Sequence, residues 1–198
     1  AAVAVAVVAS LPSVAVVATF TRPSELEPIQ LTHEQVETLF HEMGHALHAL
    51  LAKTDYQHVS GTRVPADFAE VPSTLFERFA WDERVLRLFA VHHRTKRVLA
   101  ADAIARLVAE RDALRHNSKL EQITWALFDQ RLHGADAAHI DSTATLKDVQ
   151  NGVSYMEYVD GTAWHSSFTH AVTYGAVYYS YLLAAEISDV VWQHCFAP

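Results

Sequence analysis

The pentapeptide His41-Glu42-Met43-Gly44-His45 lies in the middle of a stretch whose apolar residues recur at helical spacing. Thr32 and Gln35 form the capping-box pattern with which helices begin, so we predict a helix from Thr32 to about Lys53. Residues four apart lie one above the other on one face of a helix. The two histidines can therefore reach one metal ion, and the fold has to bring further ligands to that face.

The chemistry of this pattern points to zinc, because imidazole nitrogens bind Zn²⁺ at about 2.0–2.1 Å. Glu42 follows the first histidine, where its carboxylate can hold a water molecule and act as a general base, as in the H-E-x-x-H pattern of zinc peptidases. Gly44 costs about 1 kcal/mol relative to Ala in a helix interior, so we expect another segment to approach the backbone there. The alternative is a pair of helix histidines that only pack.

A zinc site of this kind needs a third protein ligand and one open position. A third histidine in the pattern H-E-x-x-H-x-x-G-x-x-H is excluded, because His48 and Leu51 stand where glycine and histidine are required. His48 is left either as a spare ligand or as a histidine near the site. A carboxylate on a following helix is the other solution, and Glu70, 25 residues after His45, is the best candidate.

Two further acidic residues are candidates for supporting the ligands. Glu77 lies two turns beyond Glu70 on the same predicted helix, where it can accept a hydrogen bond from a ligand imidazole and fix its tautomer. A plain surface charge is the alternative for Glu77. Asp67 is a weaker candidate for the same supporting role.

Composition excludes several classes of protein. The chain has 198 residues, 51% of them hydrophobic and 19% charged, which is typical of one globular domain and not of a disordered chain. A net charge of −8 argues against a nucleic-acid partner. The single cysteine excludes an internal disulfide and a multi-cysteine metal site. Pro12 interrupts the uncharged beginning of the chain, so we expect no membrane span there.

The remaining segments give a mainly helical prediction. The β-branched run Val14–Phe20 is predicted as a buried strand, and Thr21–Leu31 as a loop. Residues 54–68 are predicted as a loop with a short strand at Tyr56–Val59, while Gly134–Gly161 gives a mixed pattern. Further helices are predicted from Glu70–Pro72 to about Phe89, over Leu99–Arg115, over Leu120–Leu132 and from about Tyr174 to Cys195.

The charges are unevenly distributed along the chain. All 15 Lys and Arg residues lie between Arg22 and Lys147, and the last 51 residues carry five acids and no base. Either this end is partly buried and weakly solvated, or it forms an acidic surface that attracts a basic ligand.

Several segments resemble the thimet oligopeptidase family of zinc metallopeptidases: Val36–His48, Gln57–Ser73, Tyr174–Leu182 and Val191–Phe196. The resemblance implies a mainly α, zincin-type (neurolysin-like) helical catalytic domain with a small β-sheet near the metal. It implies one Zn²⁺ held by His41, His45 and Glu70, with Glu42 as the catalytic glutamate. Because family members are several times longer and two-lobed, it also implies that residues 1–198 are a single catalytic domain of a longer enzyme.

The resemblance assigns roles to residues near the end of the chain. By this resemblance, His170 and Tyr181 would donate hydrogen bonds that stabilise the transition state. Tyr174 and Tyr178 would line the substrate cleft. The three tyrosines also fall at i, i+4 and i+7, which places them on one helix face, a pattern that without the family indicates core or interface. Thr173 departs from the family, which usually has glycine there and so a more flexible loop.

The function that the resemblance implies is zinc-dependent endopeptidase action on oligopeptides. The chain is closest to the mitochondrial member, which removes an N-terminal octapeptide from imported precursors in the matrix. Substrate, an oligopeptide or a precursor presequence, would lie extended beside the predicted N-terminal strand. The alternatives are a cytosolic thimet-type oligopeptidase and a truncated fragment that binds zinc without catalysis.

Overall fold

A computed structural model of the protein describes residues 13–20, 30–134 and 139–197. Within these ranges the fold is mainly helical, as predicted. The α-helices are α1 (His33–Leu51), α2 (Ala66–Ala69), α3 (Val71–Phe79), α4 (Glu83–Phe89), α5 (Ala101–Leu132), α6 (Ser142–Val153), α7 (His170–Thr173) and α8 (Ser180–Cys195). Short 3₁₀ turns lie at Gln57–Val59, Gly61–Arg63 and Trp164–Ser167. No described helix combines the length and apolar character needed to cross a membrane.

Helix α1 begins at the capping box that the sequence predicts. The Thr32 hydroxyl accepts a hydrogen bond from the Gln35 amide at 3.3 Å, and the Gln35 side chain accepts one from the Thr32 amide at 3.0 Å. The helix ends at Leu51, close to the predicted end. The two histidines of the motif therefore lie on a regular helix, as predicted.

Helix α3 crosses α1 at Gly44. A Cβ atom added to Gly44 would lie 2.6 Å from the Ser73 Cα atom and 2.8 Å from the Pro72 carbonyl oxygen. Only a residue without a side chain permits this approach, so the close contact expected at Gly44 is confirmed. The approaching segment is the first turn of α3, which directly follows Glu70.

Helix α8 and the long helix α5 complete the packing around the site. The Ser188 hydroxyl on α8 donates a hydrogen bond to the Val71 carbonyl at 3.0 Å, so α8 is tied to the start of α3. Helices α5 and α6 enclose a second part of the core, in which Phe128, Leu146 and Tyr158 are buried against one another.

The small β-sheet expected near the metal is not found in the described part of the chain. The segment Val14–Phe20, predicted as a strand, pairs with no other described segment. The one backbone pairing among the described residues is an isolated antiparallel bridge between Val91 and Val98. The strand predicted at Tyr56–Val59 is also wrong, because residues 57–59 form a 3₁₀ turn. High β-propensity does not make a strand where no partner edge is available.

Three helix boundaries differ from the prediction. The second predicted helix divides into α3 and α4, because the Asp82 carboxylate accepts the Arg84 amide at 2.8 Å and caps a new helix. The two helices predicted over residues 99–132 are one helix, α5. The last helix begins at Ser180 rather than Tyr174. Most of the predicted loop Thr21–Leu31 lies outside the described residues.

Candidate metal centre and catalytic cleft

Three side chains meet at the crossing of α1 and α3. The Nε2 atoms of His41 and His45 lie 3.2 Å apart, and each lies 3.3 Å from the Glu70 Oε2 atom. Ligands at about 2.0–2.1 Å from a tetrahedral ion are separated by about 3.3–3.4 Å, so the triangle has the dimensions of three zinc ligands. The two nitrogens and one carboxylate oxygen are also a donor set that suits zinc.

The electrostatics of the triangle favour a cation. Burial by itself would lower the pKa of His41, but hydrogen bonds and charge from Glu70 and Glu77 raise this pKa to about 10. Burial by itself would raise the pKa of Glu70, but hydrogen bonds from His41 and His45 hold it far below its usual range. Two carboxylates therefore supply negative charge at a place where a metal would sit.

Glu77 and Ser73 hold the ligands in place. Glu77 Oε1 lies 2.6 Å from His41 Nδ1, so the carboxylate accepts that N–H and leaves Nε2 directed at the triangle. This is the contact that sequence spacing suggested for Glu77. The Ser73 hydroxyl lies 3.0 Å from Glu70 Oε2 and 2.9 Å from the Glu70 carbonyl. Sequence reasoning missed Ser73, although its position three residues after Glu70 is a usable signal.

Glu42 and the beginning of the described chain line an open groove beside the triangle. The groove has a volume of about 380 Å³, and Glu42 and His45 share it with residues 14–17 and Thr62. Within the described ranges the Glu42 carboxylate makes no hydrogen bond or ion pair, so it is free to accept a proton from water. The groove is the place where an extended peptide would reach the triangle.

Two other candidates lie outside the triangle. His48 contacts the Phe68 ring at a centroid distance of 6.5 Å, and burial lowers its pKa. His48 therefore lies near the site, but it is not one of the three residues whose ligand atoms lie together. Asp67 lies on α2, and no hydrogen bond between described residues joins it to either imidazole. A supporting role for Asp67 therefore remains a prediction.

An aromatic cluster lies around His170. Its ring centroid is 5.5 Å from that of Tyr178 and 5.9 Å from those of Tyr174 and Tyr181. Burial raises the pKa of Tyr181, and the negative charge of Glu70 raises it further. The Tyr181 phenol therefore stays protonated. No described residue accepts a hydrogen bond from its hydroxyl group.

Tyr178 has a different place from the one predicted. Only 7% of this residue is exposed, and its hydroxyl donates a hydrogen bond to Gln122 at 3.0 Å. Because the hydroxyl is directed at α5, Tyr178 packs under the His170 ring and does not line the cleft. Tyr174 is 44% exposed, and its contact with substrate stays a prediction. Neither Tyr174 nor Tyr178 lies on a helix, so the shared helix face predicted for the three tyrosines is wrong.

Thr173, the departure from the family pattern, fits a helical turn. It is the last residue of α7, and its hydroxyl donates to the Thr169 carbonyl at 3.3 Å. A glycine would weaken this turn. The segment that carries His170 is therefore more ordered here than the usual glycine would make it.

Comparisons with known proteins identify the family of this chain. The amino-acid sequence matches the model for Peptidase family M3 over residues 2–198. It is 42% identical over 186 residues to mitochondrial intermediate peptidase of Homo sapiens, covering 94% of this chain and 26% of that protein. The identity to the Arabidopsis thaliana protein of that name is 41% over 190 residues, covering 92% and 26%. For Neurospora crassa it is 43% over 189 residues, covering 94% and 24%.

The chain spans about a quarter of the length of these relatives. The family match nevertheless extends over almost the whole chain, including the motif helix, Glu70 and the aromatic cluster. A metal ion is part of what this family implies, and the His-His-Glu triangle has the donors to hold one. The chain belongs to Peptidase family M3.

Proposed function

We propose that the 198 residues form one catalytic domain that binds a single Zn²⁺ and hydrolyses peptide bonds within oligopeptides. The observation that carries this proposal is the triangle of His41, His45 and Glu70, with the Glu42 carboxylate in the adjoining groove. Bound there, zinc would polarise the peptide carbonyl and make water more acidic.

The chain's own residues supply the remaining chemistry. Substrate lies in the groove between residues 14–17 and α1, with its scissile carbonyl near the triangle. Glu42 takes a proton from the attacking water and passes it to the leaving amine. Tyr181 and His170 donate hydrogen bonds to the oxygen on which negative charge develops, and one such donor contributes about 2.7–4 kcal/mol.

Burial keeps the Tyr181 hydroxyl protonated, as a donor requires. Among the described residues no acceptor occupies this hydroxyl, so it need not break a hydrogen bond in order to bind substrate. Tyr174 is the aromatic contact with the substrate side chains. Glu77 and Ser73 keep His41 and Glu70 in position during the reaction.

The names of the relatives favour a location and a substrate class. We propose that the protein acts in the mitochondrial matrix and removes a short N-terminal peptide, an octapeptide, from imported precursors. A cytosolic oligopeptidase that degrades small peptides is the alternative. Cleavage of a precursor-derived peptide in preference to a neutral oligopeptide of equal length favours the first, and equal cleavage favours the second.

The test of the proposed chemistry is Glu42→Gln, with zinc content and peptide hydrolysis measured on the same sample. We expect one Zn²⁺ per chain in both forms and a loss of turnover in the variant, because glutamine cannot accept the proton. Glu83→Gln, at an exposed position of α4, is the matched control and should behave as the unchanged protein. Zinc bound without turnover by the unchanged chain would instead favour the inert-fragment alternative.

A second variant tests the third ligand. Glu70→Ala removes one of the three donors, so we expect a large loss of zinc affinity in a competition titration with a chelator. An unchanged affinity would show that Glu70 does not hold the metal.

A further inference from the structure

The segment between Tyr174 and α8 is attached to helix α5 through a buried carboxylate, that of Asp129. This residue is 0% exposed. Its Oδ1 atom accepts the Ala176 amide at 3.0 Å and its Oδ2 atom accepts the Tyr178 amide at 3.0 Å. Each oxygen of this carboxylate thus accepts a hydrogen bond from one backbone amide, and the two amides are two residues apart in the same loop.

Other contacts from α5 reach the same loop. The Gln130 side chain donates to the Ala176 carbonyl at 2.7 Å. Ala176 has φ of 65°, in the left-handed region that L-residues with a side chain rarely adopt. A Cβ atom on Gly175 would lie 2.6 Å from His133 Nε2, so the loop backbone lies directly on the side chain that follows α5. Such a conformation persists only where its surroundings hold it.

The loop in turn supports the aromatic cluster. The Tyr178 ring is perpendicular to that of His170 at 5.5 Å and lies 5.2 Å from that of Tyr181. Tyr178 has no freedom to move, because its amide is bound by Asp129 and its hydroxyl by Gln122. The positions of the two proposed donors therefore depend on a side chain that is not itself part of their cluster.

We propose that Asp129 is a positioning residue for peptide hydrolysis. It holds the backbone at residues 176 and 178 so that Tyr178 fixes the His170 ring and the Tyr181 ring relative to each other. This inference rests on the proposed function, because it matters for turnover only if these two residues act on the substrate. A carboxylate is needed, since the two amides bond to different oxygens, and asparagine would place an NH₂ group, which is a donor, in one of these two positions.

The test is Asp129→Asn, with Asp148→Asn as the matched control. Asp148 is an exposed aspartate that pairs with Arg131 on α5 and contacts no part of the loop. In Asp129→Asn we expect unchanged zinc affinity and exchange of the Ala176 or Tyr178 amide faster by about tenfold or more. We expect kcat to fall by about tenfold to hundredfold, with KM changed less than about threefold, as for a misplaced catalytic group.

A merely structural role predicts a different result. If the amide exchanges faster and the protein unfolds more easily while kcat is unchanged, Asp129 does not position the donors. If Asp129→Asn does not fold, Asp129→Glu replaces it, because this variant keeps both acceptor atoms but displaces them by one methylene group and so moves the loop. A smaller fall in kcat with unchanged KM then supports the proposal, and an unchanged kcat overturns it.

Failure of the proposed function can be distinguished from failure of this inference. If the unchanged, zinc-loaded chain hydrolyses no peptide, the proposed activity is wrong for this chain. The positioning role is then decided by nuclear Overhauser contacts between the His170 and Tyr181 rings. Their loss in Asp129→Asn but not in Asp148→Asn supports the inference, and their persistence in both overturns it.

Discussion

At Gly44 the absence of a side chain determines the distance between two helices. The backbone of α3 lies so close that a methyl group has no space, and this contact brings Glu70 to the two histidines. The sequence alone indicates that something approaches Gly44, because a glycine inside a helix is otherwise unfavourable. It does not indicate which segment approaches, since that depends on the packing of the whole chain.

We expect Gly44→Ala to destabilise the fold by about 1–3 kcal/mol, the usual cost of inserting a methyl group into a packed contact. Zinc affinity should fall as well, because α3 must move away and take Glu70 with it. The measurements are urea unfolding and a zinc competition titration.

Gly152→Ala is the control for Gly44→Ala. Gly152 lies on α6 with nothing within 4 Å of an added Cβ atom. This substitution should stabilise the protein by about 0.5–1 kcal/mol through helix propensity and leave zinc affinity alone. Equal zinc affinity in the two variants would contradict the role given to Gly44.

The Glu77 carboxylate is hydrogen-bonded to His41, which we propose as a zinc ligand. Glu77→Gln keeps the size of the side chain but removes the charge that orients the imidazole. We expect zinc affinity to fall about 10-fold to 100-fold, as for other carboxylates that support a histidine ligand. Isothermal titration with zinc measures this effect. A variant with the affinity of the unchanged protein would mean that His41 needs no such partner.

At the level of helices, the sequence predicts those with a strong local signal and misses those decided by tertiary contacts. The capping box at Thr32 is local, and α1 is confirmed. The start of α8 is not local, because the loop before it is held by Asp129 on a helix about 50 residues away in sequence. The predicted strand Val14–Phe20 has no partner among the described residues, and a strand needs a neighbour with which to pair.

Helix α1 also has a pH-dependent contact with the turn after α3. Glu37 accepts a hydrogen bond from the Trp81 indole at 2.6 Å, and burial raises the pKa of this carboxyl above its ordinary value of 4.5. A raised pKa means that the folded state binds the proton more tightly than the unfolded state. The contribution of Glu37 to stability therefore decreases as the pH rises from about 4.5 through the folded-state pKa.

Glu37→Gln should remove this pH dependence while keeping an acceptor for Trp81. We expect the stability of the variant, relative to the unchanged protein, to increase as the pH rises above about 4.5. Urea unfolding at a series of pH values measures it, and Glu83→Gln, at an exposed position of α4, controls for the loss of one charge. A constant difference across this pH range would contradict the assignment to Glu37.

For the whole molecule, the uneven charge distribution along the sequence is balanced in space. Four of the five acids in the last 51 residues pair with basic residues from earlier in the chain. The pairs are Asp148 with Arg131, Asp160 with Lys147, Glu186 with Lys119, and Asp189 with Arg78 and Arg115. The acidic end therefore finds most of its partners within the protein, which favours the partly neutralised end over an acidic surface that attracts a basic ligand.

Of these pairs, Asp189 connects three helices. It lies on α8, is bound by Arg78 on α3 and Arg115 on α5, and its side chain is only 18% exposed. We expect Asp189→Asn to destabilise the protein by about 1.5–3 kcal/mol, since hydrogen bonds to charged groups in shielded places contribute about that much.

Glu186→Gln is the comparison for Asp189→Asn. Its pair with Lys119 also joins α8 to α5 but is about half exposed, so we expect a change of about 0–1 kcal/mol. Chemical unfolding of both variants decides the matter, and equal losses of stability would mean that shielding from water is unimportant here.

The residues of the candidate site could be predicted from the sequence to different degrees. His41, His45 and Glu42 follow from one helix, whose spacing alone places them. The prediction of Glu70 and Glu77 depended on an assumed second helix. The family resemblance was needed to assign roles to Tyr174, Tyr178, His170 and Tyr181. Asp129 and Ser73 carry no motif, because their roles depend on which backbone atoms the fold brings to them.

The metal triangle and the carboxylate beside it are encoded between positions 41 and 77, whereas both proposed oxyanion donors come from positions 170 and 181. The proposed zinc ligands and the proposed oxyanion donors can therefore be lost independently in evolution. A descendant that lost His170 and Tyr181 would keep all three proposed zinc ligands, so we expect it to bind the ion without cleaving peptides.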